Sequence, residues 1–136
     1  MSLTHHSGKP GASRGLYAAA LVVVVLLGLV SRRFPQGIPL WDEWLGDALY
    51  ASAAYLALAA LRPKTRPRAI ALAALGWCVA VELFQLTGIP ARYAGLLPVR
   101  LLFGTTFALR DLACYTAGAG TAFLLDRWAR KRRAAD

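Results

Sequence analysis

The chain has no histidine beyond His6, only two cysteines and a single methionine. Without histidine, the Ser/His and Cys/His pairs of nucleophilic catalysis are excluded from nearly the whole length. Two cysteines make neither a disulfide framework nor a cysteine-rich zinc site. Cys78 and Cys114 fall inside apolar segments, where a free thiol behaves as a small apolar side chain. No glycine-rich phosphate loop is present, and no cofactor is expected. Charge is also scarce, at 17% of 136 residues, against about 25% in an average soluble domain. Acids are scarcer than bases, seven against sixteen, for a net charge of +9. What fills the space is apolar: 57% of the residues are hydrophobic. That surplus excludes intrinsic disorder and points to one all-α domain in a membrane.

A membrane-crossing helix needs about 20 largely apolar residues. Four stretches approach this and predict a polytopic four-helix membrane protein, with spans at about 15–30, 41–61, 69–87 and 105–125. Between them, Ser31–Pro39 carries two prolines and a glycine, Arg62–Arg68 is a tight polar hairpin, and Gly88-Ile89-Pro90 stops the third helix. The piece around 96–106 is apolar but too short to span, which suits a re-entrant or interfacial segment. The first span is read as an uncleaved helix, since no small-x-small cleavage pattern follows it. Residues 1–14 read as a disordered tail, in which His5 and His6 lack the further ligands that a metal site needs.

The basic residues orient the bundle. The N-tail, second loop and C-tail hold eleven (Lys9, Arg14, Arg62, Lys64, Arg66, Arg68, Arg127, Arg130, Lys131, Arg132 and Arg133), while the other two loops hold Arg32, Arg33, Arg92 and Arg100. Both termini are therefore expected in the cytoplasm of a cell whose inner membrane holds the protein. The tail 127–136 reads as a stop-transfer cluster on anionic headgroups rather than a nucleic-acid site.

With that orientation the unusual polar residues gather in the outer half. Arg32 and Arg33 leave the first helix there, Asp42, Glu43 and Asp47 enter the second, Glu82 and Gln85 close the third, and Arg110 and Asp111 open the fourth. Glu82 and Gln85 are i,i+3 neighbours, and Asp111, Tyr115 and Gly118 form one stripe. The small residues from Ala117 to Ala122 permit close helix approach, with Ser52 and Thr121 as polar glue between helices. A charged side chain at mid-bilayer costs roughly 2.5–3.5 kcal/mol, so these groups should face inward and be paired. One reading is structural pairing, with Arg100 or Arg110 against Glu82 or Asp111. The other is a solvated cavity that binds a polar headgroup, an ion or a proton.

Val81-Glu82-Leu83-Phe84-Gln85, then Arg100-Leu101-Leu102-Phe103-Gly104, then Asp111-Leu112-x-x-Tyr115-x-x-Gly118 resembles a family of small bacterial integral-membrane proteins of unknown function. Gly28-Leu29-x-Ser31-Arg32-x-Phe34-Pro35 and Gly46-Asp47-Ala48-Leu49-Tyr50 fit the same pattern, so the likeness covers roughly 28–120. More distantly the chain is similar to VanZ-like membrane proteins, which share the E-x-x-Q helix end, the loop arginine and a D-x-x-N-x-x-G helix. Tyr115 stands where those proteins carry Asn. The resemblance implies a four-helix inner-membrane protein without assigned activity. Its motif residues here are Asp47, Glu82, Gln85, Arg100 and Asp111, with Tyr115 at the departing position. Two functions are expected from residues and resemblance together. One is a non-enzymatic envelope or lipid-interacting factor, working with the bilayer and with a membrane-protein partner or a second copy. The alternative is an enzyme or carrier acting on a lipid or anionic headgroup through Glu82, Asp111 and an arginine.

Overall fold

The computed structural model describes residues 10–104 and 107–135. The first nine residues of the expected tail and the opening of the fourth expected span, 105–106, lie outside them. The described residues are helical throughout: α1 (Pro10–Arg33), α2 (Leu45–Leu61, entered through a π-helical turn at Leu40–Trp44), α3 (Pro67–Gln85), the short α4 (Ile89–Arg92) and α5 (Leu97–Phe103), and α6 (Leu109–Ala135).

Local chemistry sets these boundaries. Proline, which needs no N–H partner at a helix start, stands at or near the first position of α3, α4 and α5. Gly88 and Gly104 take the left-handed backbone, φ +72° and +63°, that releases the chain after α3 and α5. Asp42 caps the turn ahead of its own helix, accepting hydrogen bonds from the Gln36 and Gly37 amides at 2.7 and 2.8 Å. Helix α1 starts earlier than expected, at Pro10, so residues 10–14 belong to it rather than to a disordered tail. Helix α6 likewise runs on through the basic tail to Ala135.

Helix α2 occupies the centre, flanked by α1, α3 and α6, and α3 also packs on α6. The cross-contacts give the directions. Arg14 reaches Leu61 while Gly28 faces Leu49, so α1 and α2 are antiparallel. Trp77 bonds Tyr50, and Ile70 shares a core with Tyr55 and Ala59, so α3 opposes α2. Ser52 meets Gly118 and Tyr55 meets Asp126, so α6 runs parallel to α2.

Three stretches are long and apolar enough to cross a membrane: Ser13–Arg33, Leu40–Leu61 and Pro67–Gln85. Helix α6, though 27 residues long, is not among them. Its middle is Gly, Ala and Thr because it lies against α2 and α3, where small side chains serve better than large apolar ones. In α1 the balance is opposite. Of its described side chains only Tyr17 and Ser31 are buried, and its leucines and valines face outward.

The tightest approach is between α2 and α6. A Cβ on Gly118 would sit 2.8 Å from the Ala48 Cα and would overlap the Ala48 carbonyl. The Ser52 hydroxyl lies 2.9 Å from the Gly118 carbonyl and 3.0 Å from that of Ala48. Thr121 instead bonds the Ala117 carbonyl of its own helix at 2.8 Å. Replacing Gly118→Ala therefore forces two backbones apart, at an expected cost of about 2–3 kcal/mol. Gly120, two residues on, has open space around it, so Gly120→Ala should be neutral or slightly stabilising. Thermal unfolding of both variants in detergent, followed by circular dichroism, checks the contrast.

Candidate functional site

The polar residues of the three long inner helices meet beneath α5. A cavity of ≈ 190 Å³ is lined by Arg32, Asp47, Tyr50, Gln85, Asp111 and Tyr115, with Val81 and Leu101–Gly104 closing it. It is built from five elements. The end of α1 supplies Arg32, the start of α2 supplies Asp47 and Tyr50, and the end of α3 supplies Gln85. The opening turns of α6 supply Asp111 and Tyr115, and α5 forms the lid-like wall.

Two of the polar wall groups are held by hydrogen bonds to α3 and α5. Tyr50 accepts a hydrogen bond from the Trp77 indole at 2.9 Å and donates to the Leu102 carbonyl at 2.6 Å. Gln85 donates through Nε2 to the Phe103 carbonyl. These two side chains tie α5 to α2 and α3, and Phe103 adds edge-on packing against Phe84, 5.4 Å between ring centres. Within the segment expected as re-entrant or interfacial, Leu97–Phe103 is thus a short helix fixed over the polar groups. Gly104 is required there twice over, by its positive φ and because a Cβ would lie 2.8 Å from Gln85 Nε2.

Behind the wall, Glu82 is 1% exposed. Tyr115 donates to its Oε1 at 2.7 Å, whereas Oε2 has no partner among the described residues. A buried carboxylate with one donor and no cation is a costly arrangement, and it is not the arginine pair expected from the sequence. Asp47 and Asp111 both line the cavity, near enough for their charges to interact. Like charges so placed favour a cation or a proton between them.

Of the expected site residues, the structure brings together Asp47, Gln85, Asp111 and Tyr115 around the cavity, with Glu82 directly behind Tyr115. Arg100 is not with them: it lies on the exposed side of α5. Arg32 is the cavity's arginine instead. Arg110 reaches outward to Glu43, a pair with both side chains about half exposed, and contacts Asp111 at 3.6 Å. Such an exposed pair contributes little. Among the described residues, no three His, Cys, Asp or Glu side chains converge as a metal set would.

The sequence reading missed a second polar cluster at the opposite end of the bundle. Asp126, 6% exposed, accepts hydrogen bonds from Tyr17 of α1 and Tyr55 of α2, the latter at 2.6 Å. Arg130 closes the set at 3.1 Å from the carboxylate and bonds the Thr65 carbonyl of the α2–α3 hairpin at 3.0 Å. The unusual polar residues therefore do not all gather in one half of the bundle. The signal was present: Asp126 and Arg130 are i,i+4 on the helix, and each tyrosine interrupts an apolar run.

The chain belongs to the DUF2809 family, proteins of unknown function, with the match spanning residues 38–119. That span contains Asp47, Glu82, Gln85, Arg100, Asp111 and Tyr115, and it excludes Arg32 and Asp126. No characterised protein and no solved structure matches the chain.

Replacing Asp126→Ala leaves two tyrosine hydroxyls and a guanidinium facing the gap. The expected loss is about 2–3 kcal/mol, held below the value for a fully buried pair because Arg130 keeps some solvent. Tyr115→Phe should cost about 1–3 kcal/mol by orphaning the other Glu82 oxygen. Chemical denaturation in mixed micelles measures both.

Proposed function

We propose that the protein is a four-span inner-membrane protein of a bacterial envelope, both termini cytoplasmic, that binds a lipid headgroup rather than catalysing a reaction. One observation carries this reading: a polar cavity, walled by Asp47, Asp111, Gln85 and Arg32, sits among the ends of four long helices. Ionisable groups at such a depth are expensive and are retained where they serve a site. The parallel course of α2 and α6 supports the fourth crossing, since a short connection through α4 and α5 then begins and ends on one side of the bilayer. The composition of α6 fits a helix sheltered by its neighbours. Among the described residues no Ser, Cys or His lines the cavity, which favours binding over chemistry.

Protein purified in mild detergent should carry a lipid in stoichiometric amount after extensive washing, as identified by mass spectrometry of the extract. The double variant Asp47→Asn, Asp111→Asn, which removes both charges without changing side-chain size, should lose most of it. Wild-type protein that retains no lipid overturns the reading.

A further inference from the structure

A second cavity adjoins the polar one. It has a volume of ≈ 610 Å³, lies between α1, α2 and α5, and is lined by apolar side chains such as Leu21, Val25, Leu49, Ala57 and Leu97. Arg32, Tyr50, Leu101 and Leu102 belong to the walls of both. The sequence of environments is therefore an apolar groove, then a cation, then an acidic chamber. Arg32 makes no ion pair within 4.0 Å among the described residues; it stands near enough to Asp47 to feel its charge and offers its remaining N–H donors to an anion. Its Nε lies 3.5 Å from where a Cβ on Gly46 would be, an ordinary contact distance that places the guanidinium against the start of α2.

The chamber beyond Arg32 asks for a donor. Gln85 is nine-tenths buried and its Oε1 has no partner. The amide orientation follows from chemistry: the Phe103 carbonyl can only accept, so the nitrogen faces it and the oxygen is left over. Asp47 and Asp111 line the same space. Free acceptors and two acids suit a compact cation with N–H groups and repel a bare anion. The volume, about six water molecules at ~30 Å³ each, admits a group of a few heavy atoms.

On the strength of the lipid-binding reading above, we infer that the ligand is a zwitterionic phospholipid with a primary ammonium headgroup. Its acyl chain lies in the α1–α2–α5 groove, its phosphate on Arg32, and its ammonium among Asp47, Asp111 and Gln85 Oε1. The order chain, phosphate, ammonium matches the order groove, arginine, acids. Arg suits the phosphate through its planar donor fork, and charge-assisted hydrogen bonds select the ammonium.

The test is native mass spectrometry of full-length wild-type protein titrated with phosphatidylethanolamine, phosphatidylcholine and phosphatidic acid of identical chains. Phosphatidylethanolamine should bind about ten- to hundredfold more tightly than either, because phosphatidylcholine keeps the phosphate but has no N–H donor and phosphatidic acid lacks the cation. Equal binding of all three, or a preference for phosphatidic acid, overturns the headgroup assignment and leaves lipid binding standing. Binding of none overturns both. Arg32→Gln should weaken phosphatidylethanolamine and phosphatidylcholine alike, about tenfold, with the preference between them retained. Unchanged affinity in that variant removes the phosphate from Arg32 and overturns the placement. The wild-type series decides the headgroup class without any variant having to fold.

Discussion

The contact of Gly118 with the Ala48 backbone governs the rest of the arrangement. Lipid offers helices no hydrophobic reason to associate, so van der Waals contact at small residues and interhelical hydrogen bonds must supply it. At Gly118 the two backbones touch with no side chain between them, and Ser52 bridges the same point. Once α2 and α6 meet there in parallel, Tyr55 lies seven residues past Ala48 and Asp126 eight past Gly118, so helix geometry sets the two side by side. At the other end the opening turns of the same two helices bring Asp47 and Asp111 to one cavity.

Helix α6 thereby becomes a rod fastened at two ends by different means. At one end, Tyr17, Tyr55 and Arg130 surround the Asp126 carboxylate and engage three other parts of the chain: α1, α2 and the hairpin. Every carboxylate oxygen there is satisfied. At the other end, oxygens on Glu82 and Gln85 remain without partners and two acids line the same cavity. The contrast separates the two clusters by role. The Asp126 set leaves one nitrogen over, Arg130 Nη2, but its carboxylate is paired with a cation and fully hydrogen-bonded, which fixes helix positions, whereas the unpartnered carboxylate and amide oxygens at the other end keep a cavity polar. That division is why the cavity, rather than the tidier Asp126 cluster, carries the functional reading.

Much of this was legible in the residues, and the reasons for success and failure are specific. The apolar runs of α1, α2 and α3 announce themselves because each faces lipid or the bundle with large side chains over enough length. The i,i+3 and i,i+4 spacings placed Glu82 with Gln85 and Asp111 with Tyr115, and those pairs do converge. Arg100 was drawn in by its place in a motif, but its position on the exposed side of the short α5 is decided by tertiary packing, which no local spacing reveals. Arg32 was visible at the end of α1, yet its insertion beside Gly46 depends on how α1 docks. Asp126 was overlooked because it borders a run of arginines and reads as part of a solvated tail. Only the tyrosines of two distant helices show that it is interior.

The two acids of α6, Asp111 and Asp126, stand fifteen residues apart, about 22 Å along a helix rising 1.5 Å per residue. The hydrocarbon layer of a typical bilayer is about 30 Å thick. A crossing α6 cannot place both carboxylates at opposite interfaces of such a layer. The surrounding lipid must thin toward the α6 side, or the acid of the incomplete cluster must lie several ångströms below the headgroups, reached by water through its own chamber. On the four-span reading the bundle is therefore lopsided with respect to its solvent, since the outer helix α1 presents apolar side chains along nearly its whole length. On that reading the α1 and α6 flanks match different thicknesses of lipid.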